Sequence, residues 1–302
     1  RFEATILNAR IRKSYVNNLT KILSLTDVGD LTYPYKTLDG KTKTLVDIFE
    51  GKSEITKDIL NAKKPLIILG ESFFKLQSAD FLFNLIKNFL TNNKKISESW
   101  NSLNKISTDA STVGSLDLKI INEKGNIFEN LKANNFEIIY LLGQDNLNFD
   151  KKNEFIIYQG SHGDKGAEIA DIILPGAAYT EQNGHFTNLE GKIQKAFKAS
   201  YPPGEAKEDW QIINELAEFM NNRKLFNDKD ELESSMFNYI NLQQENRVLS
   251  DQGTASKNFA ESENLTVTYK EYYFSNVIAR SSKTMLDCYN SKLETKKTGT
   301  DG

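Results

Sequence analysis

The 302-residue chain is 39% hydrophobic and 26% charged with a formal net charge of −3, an ordinary globular balance that gives no electrostatic reason for a nucleic-acid or anionic-membrane partner. Its single cysteine, Cys288, excludes an intrachain disulfide, and with only His162 and His185 beside it the chain lacks the ligands for an iron–sulfur cluster or a structural zinc site. It has no run of about 18 apolar residues that would span a bilayer. A reducing compartment and no transition-metal centre are therefore expected.

The chain opens on Arg1-Phe2-Glu3-Ala4, with neither an initiator Met nor a signal-peptide pattern, and reads as the middle and end of something longer. The basic amphipathic run Asn8-Ala9-Arg10-Ile11-Arg12-Lys13 suits a helix beginning near Ala4 or Asn8. Residues 26–44 are rich in turn formers, among them Tyr33-Pro34-Tyr35 and Asp39-Gly40. Leu45–Phe49 and Ser53–Ala62 carry helical patterns, the second with Ser53 as its N-cap. Pro65–Gly70 is a short apolar run closed by Gly, as expected of a strand buried on both faces. In Ser78–Leu90, Phe81, Leu82, Leu85, Ile86, Phe89 and Leu90 recur at helical spacing.

Phe136–Gly143 and Phe155–Gly160 are two further buried-strand patterns, and Ile172–Leu174 is a shorter one stopped by Pro175. The alternation of apolar strand, Gly and helix indicates an α/β fold with a mostly parallel sheet flanked by helices. Glu208–Met220 returns to helical period, with Trp210, Ile213, Leu216, Ala217 and Met220 on one side. Farther on, a helix is expected around Asp230–Leu242, exposed loop over Ser250–Asn264, extended chain over Leu265–Tyr273 and a short helix over Ile278–Tyr289. The last dozen residues read as disordered. The chain thus divides into an α/β body, residues 1–220, and a polar C-terminal extension, residues 221–302.

Three glycine turns follow strands: Gly70-Glu71-Ser72, Gly143-Gln144-Asp145 and Gly160-Ser161-His162-Gly163. Ligands of open parallel sheets bind at such turns, whose amides can cradle phosphate. No complete GxGxxG or GxxxxGK[ST] is present, and glycines that merely permit the turn are the commoner explanation. His162 is the one candidate general base there, with Asp164 able to orient it, but no nucleophile or acid accompanies it, so a turn-satisfying role is favoured. His185, in Asn183-Gly184-His185-Phe186, is read the same way, in a turn leading into extended chain. Asp171 is expected to close a turn before a buried Ile172–Leu174, and Glu181 to pair with a backbone or basic group. Arg10, Arg12 and Lys13 read as a solvated helix face, and Cys288 as a packed small hydrophobe. No residue is assigned a catalytic, cofactor-binding or metal role.

Residues 159–219 carry a more specific pattern. Gly163-Asp164 with Gly166-Ala167, Ala170-Asp171 leading into Leu174-Pro175-Gly176, and Tyr179-Thr180-Glu181 stand in order. Asn188 with Glu190-Gly191, Pro202-Pro203-Gly204 and Asp209-Trp210 follow. This stretch resembles the C-terminal, molybdopterin-oxidoreductase-like region of the large iron–sulfur subunit of respiratory complex I. FEATILNARIRKSY near the start, AKKPLIILG at 62–70, LGQDN at 142–146 and YYFSNVIARSSKTMLDCY at 272–289 resemble other segments of that subunit. The last is similar to the end of the mitochondrial and alphaproteobacterial form.

The resemblance implies a structural portion of the complex I peripheral arm, non-catalytic by itself. It implies no cofactor in this chain, with iron–sulfur clusters in a preceding N-terminal part. Expected partners are that N-terminal part and other peripheral-arm subunits, on which the extension would pack. The implied location is the matrix side of the mitochondrial inner membrane, or the cytoplasmic side of a bacterial one. Two alternatives stand: the cofactor-binding half of a formate dehydrogenase-like molybdopterin oxidoreductase, and a stand-alone nucleotide-binding α/β protein.

Overall fold

The computed structural model describes residues 4–97, 99–120, 127–144, 147, 149–245, 259, 263–267 and 272–297. The chain forms two compact units, Arg1–Asp109 with Val248–Lys270 and Ala110–Arg247 with Glu271–Gly302.

The first unit begins with α1 (Thr5–Asn18), whose Arg10, Arg12 and Lys13 are exposed, as a solvated face requires. Two short strands, β1 (Leu23–Ser24) and β2 (Lys36–Thr37), pair in parallel. Next come α2 (Thr42–Phe49) and α3 (Glu54–Asn61), the latter capped by the Ser53 hydroxyl, which accepts the Ile55 N–H at 3.3 Å. β3 (Ile67–Leu69) then leads through α4 (Glu71–Phe74) and α5 (Ala79–Asn92) to a parallel partner, β4 (Leu103–Lys105). Parallel strands need such a crossover because their ends lie far apart. The core is the apolar stripe of α5 (Leu82, Ile86 and Leu90, each 0% exposed) against Val46, Ile48 and Phe49 of α2 and Leu69 of β3. β3 is less enclosed than its sequence suggests, since Ile67 and Ile68 are only half-buried and Leu66 is exposed.

The second unit contains α6 (Thr112–Asp117) and α7 (Ile127–Lys132), then three parallel strands in the order β5 (Ile138–Leu142), β6 (Phe155–Gly160), β7 (Ile172–Pro175), with α8 (Lys165–Glu168) in the last crossover. An antiparallel pair follows, β8 (Gly184–Thr187) and β9 (Ile193–Ala196), then α9 (Asp209–Asn221) and α10 (Lys229–Glu245). A 3-10 turn (Tyr272–Phe274), α11 (Val277–Ser281) and α12 (Lys283–Lys297) end the described chain. One face of the three-stranded sheet carries Leu141, Ile156 and Tyr158, sealed by Ala167, Ile169 and Ala170.

Several sequence expectations are corrected here. On the other face of that sheet Ile138, Leu142, Phe155 and Ile172 are exposed, and so is Ile173 of β7. The apolar runs are therefore not buried on both faces, and Ile172–Leu174 is an edge strand with β6 on one side. In α9 the buried positions are Ile212 and Asn214, whereas Ile213 and Met220 are exposed. The cause is polar: the Asn214 side chain accepts the Leu225 and Phe226 N–H groups (2.8 and 3.0 Å) and donates to the Phe226 carbonyl, so this face must turn inward. The expected extended chain over Leu265–Tyr273 gives way to irregular chain at 265–267 and the 3-10 turn, and 268–271 lie outside the described residues. The expected loop over Ser250–Asn264 lies mostly outside them as well. The helix expected over Ile278–Tyr289 is split at Ser282, and α12 continues to Lys297 where disorder was expected. Cys288 on α12 is exposed, not packed.

Truncating Leu82 to Ala should cost about 2–5 kcal/mol, because the fully enclosed site cannot collapse around the missing methyls. Urea unfolding of the variant against the parent measures this, and an unchanged midpoint would place the core of this unit elsewhere.

Candidate functional site

The carboxyl ends of β5, β6 and β7 are where an open parallel sheet binds ligands. Each strand-end residue there is engaged by another part of the second unit. Gln159, 0% exposed, donates from its amide nitrogen to Asp209 Oδ1 at 2.8 Å, while its amide oxygen accepts the Tyr140 hydroxyl. Asp209 Oδ2 accepts the Gln182 amide at 2.7 Å, and the Asp209 N–H returns to Gln182 Oε1 at 3.1 Å. Gln182 also donates to the Ala177 carbonyl at 3.1 Å. Burial raises the Tyr140 pKa, and the nearby Asp209 charge raises it further, so Tyr140 stays a neutral donor.

Backbone geometry brings these groups together. Beyond β7 the chain keeps sheet-like bonding: the Gly176 N–H donates to the Gly160 carbonyl at 3.0 Å, and the Ala177 N–H to the Lys207 carbonyl at 2.8 Å. Lys207 immediately precedes the N-terminus of α9, so Asp209 is delivered to the end of β6. Glu208 makes a capping box with Gln211 and gathers Lys229 at 2.6 Å and the Trp210 indole at 3.1 Å. Burial pushes the Glu208 carboxyl up, but Lys229, Trp210 and Lys198 outweigh it and hold the pKa below the usual 4.5.

The glycines fit the close-packing explanation. A Cβ on Gly166 would stand 2.5 Å from the Gln144 carbonyl oxygen and 3.1 Å from the Tyr158 ring, and one on Gly160 would strike the Tyr158 phenol. Gly143 has φ +61°, the left-handed region in which glycine carries no steric penalty.

His162 bonds locally: Nδ1 lies 3.0 Å from the Ser161 hydroxyl, and its carbonyl accepts the Tyr158 hydroxyl at 2.8 Å. Asp164 does not orient it, but caps α8 at the Lys165 N–H (2.8 Å) and holds Arg280 Nε at 3.0 Å. His185 stands in β8 against the Phe237 ring at 5.2 Å, in a hairpin strand and not the turn that its glycine suggested. Asp171 accepts the Ile156 N–H at 2.8 Å and Lys151 at 2.6 Å; Lys151 and that amide hold its carboxyl below its usual range. Glu181 accepts the Ala178 N–H at 3.0 Å, the backbone role expected of it. In the first unit, Glu71 turns back from the Gly70 turn to accept the Thr108 N–H at 2.7 Å.

Sequence reasoning missed Gln159, Asp209 and Gln182 as a group. Gln159 was legible only as a polar residue inside an apolar strand, and nothing in the spacing pointed to residues 182 and 209. A cleft of about 270 Å³ lined by Leu131, Lys132, Phe149, Asp150 and Lys152 lies beside the residues preceding β5 and β6, away from the strand ends. Among the described residues no group of three or more His, Cys, Asp or Glu side chains is arranged to hold a metal.

Gly166→Ala should destabilise the second unit by about 1–3 kcal/mol, since the Gln144 carbonyl it would strike is backbone and cannot swing aside. Thermal unfolding of the variant checks this, and a parental Tm would show that the turn can open. Because the folded pKa of Glu208 is depressed, its contribution is present at neutral pH and is lost as pH falls below 4.5 toward the lower folded value. Glu208→Gln should therefore lower Tm at about pH 7 and flatten the acid side of the Tm–pH curve. A curve parallel to the parent's would exclude that linkage.

A family profile described as molybdopterin oxidoreductase matches residues 1–219, and one describing the C-terminal part of the G-type subunit of NADH-ubiquinone oxidoreductase matches residues 231–288. The chain is 34% identical over 297 residues to the NADH-ubiquinone oxidoreductase 75 kDa subunit of Reclinomonas americana, covering 95% of this chain and 43% of that one. It is 33% identical over 316 residues to the mitochondrial 78 kDa subunit of Candida albicans, covering 98% and 43%. Over 300 residues it is 33% identical to the G-type NADH-quinone oxidoreductase subunit of Rickettsia bellii, again covering 98% and 43%. The chain spans less than half the length of these curated relatives, which are mitochondrial and bacterial. No described helix is long and apolar enough to cross a membrane. The chain belongs to the molybdopterin oxidoreductase family, in the branch formed by the large subunits of NADH–quinone oxidoreductase.

Proposed function

We propose that this chain is a scaffold portion of the peripheral arm of NADH–quinone oxidoreductase, on the matrix side of the mitochondrial inner membrane. Electrons pass from NADH to quinone through iron–sulfur clusters held outside this chain. Its partners are the cluster-bearing N-terminal part of the same subunit and neighbouring peripheral-arm subunits.

The observation that supports this reading is the filled carboxyl end of the three-stranded sheet. Both ends of the Gln159 amide and both oxygens of the Asp209 carboxylate are already bonded to protein. A pterin nucleotide would bring its pyrophosphate charge against that carboxylate and would have to displace a buried, satisfied network, so these residues do not fit the group. A fold kept for its shape still needs its glycines, its PGAAYTE segment and its strand-end bonds, because these set backbone positions.

Native separation of a mild-detergent extract tests the proposal. The chain should migrate in one large assembly with NADH dehydrogenase activity, and that assembly should contain neither molybdenum nor pterin. Migration apart from the activity, or stoichiometric molybdenum in the band, would replace the scaffold reading with the cofactor-binding one.

A further inference from the structure

The C-terminal extension makes two long-range attachments, each to the crossover connection of a parallel strand pair. The first is Glu263. Its carboxylate accepts the Gln77 N–H at 2.6 Å and the Ser78 N–H at 3.1 Å, at the start of α5 between β3 and β4. Ser78 makes no side-chain cap bond to α5, so the carboxylate meets the helix N-terminus from 185 residues away. The surrounding chain reinforces it. The Glu263 carbonyl accepts the Thr42 N–H and hydroxyl at 3.0 Å, the Leu265 N–H donates to the Gly40 carbonyl at 2.8 Å, and the Phe259 ring lies 5.3 Å from Phe81.

The second attachment is Arg280. Its Nε donates to Asp164 Oδ2 at 3.0 Å, in the turn that joins β6 to α8, and its guanidinium reaches the Phe274 carbonyl at 3.4 Å. Both members of the ion pair are mostly buried, with side chains 20% and 27% exposed. Asn276 caps α11 through the Ala279 N–H at 2.9 Å, and Tyr289 of α12 packs on Phe274 at 5.0 Å, which fixes the helix that presents Arg280.

We propose that the extension is a two-point strap, with Glu263 and Arg280 as its anchors on the crossovers following β3 and β6. The strap has a directional signature. Holding Glu263 roughly halves the free chain between the end of α10 and Arg280, and halving a loop favours its closure about threefold. Releasing Glu263 therefore weakens the Arg280 anchor, whereas releasing Arg280 leaves the shorter loop to Glu263 unchanged.

Hydrogen exchange on the native assembly, read peptide by peptide, tests this. Glu263→Ala should speed exchange at Gln77 and Ser78 by about tenfold or more, the loss of charged hydrogen bonds. It should also speed exchange across α8 and α11 by about threefold. Arg280→Ala should speed α8 and α11 and leave Gln77 and Ser78 at the parental rate. Glu263→Gln, which keeps the side-chain shape, is the second variant should the alanine fail to assemble, and it should show the same pattern more weakly. β6 amides serve as the control for general loosening. Unchanged exchange at α8 and α11 in the Glu263 variants, or an equal rise in β6, would overturn the strap.

Discussion

Gln159 sits inside an otherwise apolar strand with no exposed surface, and a primary amide in that position is tolerable only if its donors and acceptor are met. That demand sets much of the second unit. Asp209 must come to the end of β6, so the segment after β7 must run beside Gly160 and Lys207 must pair with Gly176. α9 must then start at residue 209, and Gln182 must fold back to engage the second carboxylate oxygen. A network of this kind is worth more than separate bonds, because leaving any one member unsatisfied in a low-dielectric interior is costly.

Tight packing does the same work on the other side of the turn. Tyr158 lies under the loop with its hydroxyl on the His162 carbonyl, and Gly160 and Gly166 leave room for its ring. The glycines that resemble a phosphate-binding loop in the bare sequence are here spaces for a phenol. The same residues in a relative with a retained cofactor and in one without it need not differ, since their first task is to let backbone and ring approach.

The strands, the α5 stripe and the Ser53 cap were legible because each depends on neighbours close in sequence: a run of apolar residues, a repeat of three and four, a hydroxyl two residues before its amide. The depth of burial was less legible. PLIILG and FEIIYLLG look alike whether one face or two is covered, and exposed Ile138, Leu142 and Ile172 show that composition alone overstates the cover. The inward face of α9 was misjudged because a polar residue, Asn214, won it through three hydrogen bonds to the following loop. Likewise Arg280, which looked like one charge in a polar tail, is half of an ion pair with Asp164.

By itself the sequence determined the element types, the parallel α/β character, the lack of ligands for a cluster or zinc, and the family through motifs whose order survives without coordinates. Those properties follow from local periodicity and residue inventory. Only the tertiary structure decided that the strand ends are closed by the chain's own side chains, that Glu263 caps a helix begun 185 residues earlier, and that His162 bonds within its own turn. Such facts depend on which distant segments meet, and hydrogen-bond satisfaction between residues 159, 182 and 209 has no signature in the spacing of any one of them.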